Sequence, residues 1–247
     1  MKTLIRHLIA AACLAGSLIG ASANANVVIG GTRVIYPADQ REVTVKLSNA
    51  GDQPALVQAW IDSGDVDAPP EKSNAPFVLT PPLTRIEPGR GLTLRLVYTQ
   101  EPLPADRESV FYLNTLDIPP DAKPGDDRNL LQVAFRTRIK IFFRPAGLPG
   151  NPDEAAEQLK WKLVRDASGG YALDCSNDSA YHVSFNEVGI AHAGQVASGG
   201  GGMVSPHGTT RFLLNDLTSL PSGPLELRYT SVNDYGAPVA HQQPIAP

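Results

Sequence analysis

Apolar and polar residues alternate with a period of two along most of the chain. Arg41–Ser48 sets Val43, Val45 and Leu47 against Glu42, Thr44 and Lys46, so a strand there buries one face and wets the other. Leu56–Ile61, Leu92–Tyr98 and Ser109–Leu116 repeat this as short runs, separated by Asn49-Ala50-Gly51-Asp52, Glu87-Pro88-Gly89 and Leu116–Arg128 as turns or loops. Leu159–Val164, Tyr171–Cys175, Tyr181–Val188, Thr209–Leu214 and Leu225–Val232 continue the pattern. The helical period is almost absent, and only Asp153–Leu159 suits a short helical turn. Short strands at regular spacing predict an all-β chain of two Greek-key β-sandwiches, with no parallel sheet and hence no Rossmann-type site.

One segment departs from this pattern by its length. Leu131, Val133, Phe135, Thr137, Ile139, Ile141 and Phe143 share one parity, while Gln132, Arg136, Arg138 and Lys140 lie on the other. At about 3.3 Å per residue such a strand spans roughly 40 Å, twice the usual length. A sandwich of about 120 residues does not cover so long an apolar row. The segment is either a core strand running on into a linker or an exposed edge that recruits another strand.

The place to divide the chain is Arg144-Pro145-Ala146-Gly147-Leu148-Pro149-Gly150-Asn151-Pro152, whose prolines and glycines stop any regular element. The N-terminus adds a further segment. Lys2, Arg6 and His7 precede the apolar run Leu8–Gly20, and Ala21-Ser22-Ala23-Asn24-Ala25 supplies small residues, the pattern of a secretory signal peptide. The expected organisation is a leader over residues 1–25, a first domain over 26–146 and a second over 147–247. The apolar run is too short to cross a bilayer, so no direct membrane insertion is expected.

Composition sharpens this picture. The 22 glycines and 22 prolines of 247 residues fit a turn-rich fold and stay below the level of low-complexity chains. The net charge of −4 supplies no field for nucleic acid. Without the leader's Lys2 and Arg6, 19 basic residues face 25 acidic ones, a net −6. The second domain holds 5 basic and 10 acidic residues and carries most of it, while the first, with 14 and 15, is nearly neutral. Cys175 is then the one cysteine left, so no internal disulfide forms; its strand parity reads as a buried core thiol. His182, His192, His207 and His241 show no paired metal-ligand spacing, and neither a metal nor a cofactor is expected. No Gly-x-Ser-x-Gly elbow is present, and Gly199–Gly202 lacks a following Lys-Ser/Thr, so it reads as a flexible loop and not a phosphate cradle. An enzyme is disfavoured.

A set of blocks carries a resemblance. Gly31-Thr32-Arg33, Gln58-Ala59-Trp60-Ile61, Thr80-Pro81-Pro82, Arg85-Ile86-Glu87-Pro88-Gly89, Asp106–Asn114, Ile118-Pro119-Pro120, Leu131–Ala134, Arg138–Pro145 and Asn233-Asp234-Tyr235-Gly236 together resemble the PapD/FimC-like periplasmic pilus-assembly chaperones. The resemblance is densest over residues 31–145. It implies two immunoglobulin-like domains in an L-shaped arrangement, and a long strand lent to a pilus subunit that lacks one of its own. Leu131, Val133, Phe135 and Thr137 match the alternating residues of that donor strand. Arg33 and Lys140 match the pair that holds the subunit's C-terminal carboxylate, a task that suits a forked guanidinium beside a compact ammonium. Glu108, Arg144 and Asp234 match an interdomain salt-bridge cluster, read here as fixing orientation and not as catalysis. Leu56, Gln58, Thr80, Pro81 and Pro82 match a patch offered to the outer-membrane usher. Arg136 and Arg138 have no such match and read as solvated.

The loop Leu116–Arg128 is of the family's short kind, which implies rod-like pili more than thin capsular fibres. The implied function is therefore a periplasmic chaperone that binds pilus subunits by donor-strand complementation and delivers them to an usher. Unloaded, its long edge is expected to pair with a second copy. The other reading is a secreted two-domain fibre subunit or adhesin, which needs no cationic pair in its cleft.

Overall fold

The computed structural model describes residues 27–119, 133–167, 169–215 and 217–246. The expected leader, Leu131 and most of the loop before it lie outside these residues.

The first sandwich contains β1 (Val27–Ile29), β2 (Arg33–Pro37), β3 (Val43–Asn49), β4 (Ala55–Asp62), β5 (Phe77–Thr80), β6 (Leu83–Ile86), β7 (Gly91–Tyr98), β8 (Ser109–Ile118) and β9 (Phe135–Arg144). One sheet runs β1-β3-β7-β5 and the other β2-β9-β8-β4-β6. The period-2 pattern decides which face each strand buries. Val45 and Leu47 of β3 pair with Leu94 and Leu92 of β7, and Val45, Leu47 and Leu94 meet Ile61, Leu113 and Ile141 of the facing sheet in one core. Tyr36, Phe77, Tyr98 and Phe143 pack as a ring cluster there, Tyr98 and Phe143 with centroids 4.5 Å apart. The Tyr36 hydroxyl donates to Arg41 O and accepts from Tyr98 N, both at 3.1 Å, so its burial leaves no orphan.

The second sandwich follows a turn of α1 (Pro152–Glu157), capped by Asn151 Oδ1 accepting from Glu154 N at 2.9 Å. It holds β10 (Lys160–Arg165), β11 (Tyr171–Asn177), β12 (Val183–His192), β13 (Gln195–Val204), β14 (Gly208–Leu214), β15 (Leu225–Val232) and β16 (Pro238–Ile245). Its sheets run β10-β11-β14 and β13-β12-β15-β16. Trp161, Phe185, Phe212 and Tyr229 form its aromatic centre. Cys175 is fully buried, and burial pushes its thiol up to about 12, so it packs as a small hydrophobe.

The all-β, two-sandwich expectation holds, with four differences. β2 pairs with β9 in parallel, Arg33 opposite Lys140 through Pro37 opposite Arg144, so the first sandwich contains one parallel ladder. The β8 strand continues to Ile118, into the expected loop, because it goes on pairing with Leu56 and Val57 of β4. The helical turn lies at Pro152–Glu157 and ends before Leu159. Gly199–Gly202 is not a loop but part of β13. A Cβ at Gly201 would stand 2.8 Å from Asn186 O, and one at Gly202 2.8 Å from the Phe212 ring, so the glycines let this strand press against β12 and the core.

Candidate functional site

The β9 strand has two halves that differ in both packing and pairing. It pairs with β8 along its whole length, Ser109 opposite Phe143 through Asp117 opposite Phe135. On its other side β2 covers only Lys140–Arg144. Among the described residues, no strand pairs with that side of Phe135–Ile139. Ile139, Ile141 and Phe143 point into the core at 8%, 0% and 4% exposure, whereas Val133 and Phe135, of the same parity, stand 49% and 44% exposed. Thr137 is exposed as well. An unpaired edge carrying exposed alternating apolar side chains is a template for an added strand. Beside it, a groove of about 340 Å³ opens between the two sheets, with Ile29, Arg33, Val43, Val45 and Ile139 among its walls.

The open edge ends where β2 begins, and the residues paired at that point are Arg33 and Lys140. Burial lowers the pKa of both. For Lys140 the neighbouring charges of Arg33 and Arg138 lower it further, and for Arg33 Asp234 and Glu108 partly oppose the burial. The Arg33 guanidinium donates from NH1 to Val232 O at 2.7 Å and lies 5.5 Å from the Phe142 ring centroid, while its Nε is buried without a partner. Two crowded cations, one with an unsatisfied donor, suit an incoming carboxylate.

Glu108, Arg144 and Asp234 meet where the two sandwiches touch. Arg144 Nε donates to Glu108 at 2.7 Å, and its two terminal nitrogens grip Asp234 at 2.7 and 2.9 Å. Burial works against the Arg144 charge, but the bonds to Asp234 and Glu108 outweigh it and raise its pKa. Glu108 is 1% exposed and also accepts from the backbone N of His182 at 2.8 Å. Ala180 O accepts from Glu108 N, Arg144 lies over the Tyr181 ring, and the His182 ring packs on Phe142. The turn after β15 is pressed against Thr32, where a Cβ on Gly236 would fall 2.3 Å from Thr32 Oγ1.

Leu56 and Gln58 lie on β4 opposite Arg85 and Leu83 of the edge strand β6, and Pro82 O accepts from Ala59 N at 2.8 Å. Leu56, Thr80 and Pro82 are exposed, and Gln58 and Pro81 half-buried. Leu83, 55% exposed, joins this patch although no sequence block marked it. The reading as solvated is wrong for Arg138, which is half-buried; Arg136 is exposed as expected, but its guanidinium is engaged by neighbouring groups. Arg138 is bidentate on Asp62, which is 1% exposed, at 3.1 and 2.6 Å. Arg136 donates to Asn114 Oδ1 and lies 4.9 Å from the Trp60 ring centroid. A charged residue on a strand reads as solvated until the strand beside it is known to present a buried carboxylate.

Comparison with known proteins supplies the family. Residues 26–149 match the N-terminal domain model of the PapD pili and flagellar-assembly chaperones, and residues 154–243 match the PapD C-terminal domain model. The chain is 41% identical over 229 residues to the Bordetella pertussis chaperone protein FimB/FhaD, covering 91% of this chain and 90% of that one. It is equally 41% identical over 230 residues to the probable fimbrial chaperone YadV of Escherichia coli K12, with 92% of each covered. The YadV crystal structure superposes with a TM-score of 0.76 over 90% of this chain and all of that one, at 38% identity. The Salmonella enterica SafB chaperone, solved with the SafA pilin, superposes with a TM-score of 0.73 over 91% of this chain and 99% of that one, at 26% identity.

Proposed function

Because the chain belongs to the PapD family of pili-assembly chaperones, we propose that it is a periplasmic chaperone of the chaperone–usher kind. It binds pilus subunits by lending them β9 and passes them to an outer-membrane usher. The observation that carries this reading is the open edge of β9 ending at Arg33 and Lys140. A subunit strand laid on that edge, with its C-terminal carboxylate at the two cations, lies in line with β2 and so runs parallel to β9. Backbone hydrogen bonds to the edge give affinity without regard to sequence, and the carboxylate sets the register that a period-2 strand otherwise lets slip. Burying Val133 and Phe135 in the subunit contributes about 1.5–3 kcal/mol each before ordering costs. Leu131 belongs to the same row by parity and lies outside the described residues.

Glu108, Arg144 and Asp234 hold the sandwiches at a fixed angle, and Leu56, Gln58, Thr80, Pro81 and Pro82, with Leu83, form the face offered to the usher. Residues 1–25 serve as the export signal; among the described residues, no helix is long and apolar enough to cross a membrane. Without a subunit, the edge is open to a second copy of the chain. The fibre-subunit reading is not favoured, because it leaves the cations at the end of the edge without a task.

The test is co-expression with the pilus subunits encoded beside the chain, followed by co-purification. Arg33→Ala and Lys140→Ala are each expected to remain folded and to lose the subunit, whereas full retention in both would end the chaperone reading.

A further inference from the structure

The open half of β9 presents a physical difficulty. Val133, Phe135 and Thr137 have left the core, and one edge of Phe135–Ile139 has no strand on it among the described residues. Such a segment tends to fray, and a frayed edge must be ordered again at every encounter, which slows association.

The opposite parity counters this. Arg138 holds Asp62 through two nitrogens, and its guanidinium carbon lies 3.6 Å from the Tyr112 ring centroid. Arg136 donates from Nε and NH2 to Asn114 Oδ1 at 3.1 and 2.8 Å and from NH1 to Val66 O at 2.7 Å. Asn114 Nδ2 in turn donates to Asp62 Oδ2 at 2.7 Å, which joins the two grips into one network across β4, β8 and β9. The acceptors are fixed, since Asp62 and Asn114 are 1% and 0% exposed. The geometry is directional too. Arg138 pairs with Asn114 in the strand register, and Asp62 with Tyr112, so Arg138 leans one row toward the Lys140 end, and Arg136 leans the same way onto the Asn114 row. Both side chains pull the open half of the strand down onto β8 from the face the subunit does not use.

We propose that Arg136 and Arg138 are positioning residues that hold the half of β9 whose outer edge is open, keeping it extended and in register on β8 before a subunit arrives. The network stands in for the missing core, so the edge is offered ready-made and the subunit does not have to order it. This rests on the strand-capture reading for its consequence, but its primary test is made on the free chain.

Hydrogen exchange by NMR on the full mature protein reads the amides of Phe135–Ile139 that bond to β8. Arg138→Gln alone strands the buried Asp62 carboxylate and risks the fold, so it is made together with Asp62→Asn; Arg136→Gln is made singly. In both proteins these amides are expected to exchange at least tenfold faster, with those of Lys140–Arg144 unchanged and the melting temperature within a few degrees. The association rate for a pilus subunit diluted from denaturant is expected to fall by a similar factor, and Arg136→Lys, which lacks the fork, to recover only part of it. Unchanged exchange overturns the proposal, as does acceleration that spreads equally through Lys140–Arg144. Faster exchange with an undiminished capture rate overturns the link to capture. A wild-type chain that captures no subunit refutes the functional reading, while exchange still decides the role of the two arginines.

Discussion

Lys140 carries a charge that its surroundings disfavour. Its pKa lies below that of an ordinary lysine because burial, then Arg33 and Arg138, disfavour the charge. The folded chain therefore holds fewer protons than the unfolded one between that lowered value and about 10.4, so stability rises with pH through that window and the charge costs stability below it. Lys140→Met is expected to keep or raise the melting temperature while subunit capture falls at least tenfold, the opposite of what a structural lysine would do. Capture should likewise be full at neutral pH and fade as Lys140 loses its proton at alkaline pH. Val133 and Ile139 supply the complementary pair. They share a parity, six residues apart, and both are β-branched aliphatics, but they differ in exposure, 49% against 8%. Val133→Asp is expected to weaken capture with the melting temperature unmoved, and Ile139→Asp to unfold the first sandwich, because a carboxylate buried without a partner costs several kcal/mol. Thermal unfolding read beside co-purification separates the two.

At the scale of elements, what could be read from the chain was what is local. Period-2 burial marked β3, β4, β7 and β9 because each buries one face in a common core, and parity alone put Val45, Leu94 and Ile141 inside. The strands β2, β6 and β16 were not marked, since they are short or polar and exist by pairing with β9, β4 and β15. The parallel ladder and the Arg138–Asp62 pair were invisible for the same reason, as both join residues far apart in sequence. The glycine run misled because glycine usually breaks strands. Here the backbone of β12 leaves no room for a side chain at Gly201, and the Phe212 ring leaves none at Gly202. Gly201→Ala, whose Cβ would meet Asn186 O at 2.8 Å and Phe185 O at 3.0 Å, is expected to destabilise the second sandwich by about 1–3 kcal/mol in chemical denaturation. Asp62 adds a pH dependence. Burial opposes its charge, but hydrogen bonds from Arg138, Asn114 and Gly64 N overcome this and lower its pKa. Its stabilisation is thus present above about pH 4 and is lost as pH falls through the lowered value.

For the whole molecule, the joint and the anchor occupy one neighbourhood. Arg33 reaches Val232 of the second sandwich, Thr32 abuts Gly236, and Asp234 faces both Arg33 and Arg144. Arg144→Ala leaves the Glu108 carboxylate buried without its cation, at a cost of about 3–5 kcal/mol. Calorimetry is expected to show the two sandwiches melting apart where the parent chain melts as one. The blocks Asp106–Asn114 and Asn233–Gly236 made this joint recognisable in the sequence, because the resemblance supplied a contact that no local pattern contains. The shared ladder of β2 and β9 has a further consequence. Since β2 already occupies the edge from Lys140 onward, a guest strand has nowhere to continue, and only a polypeptide that stops there is accommodated. The protein would then distinguish finished chains from unfinished ones. A subunit still lacking its last residues, or carrying a few extra ones appended as a tag, is expected to be refused however well it is otherwise made.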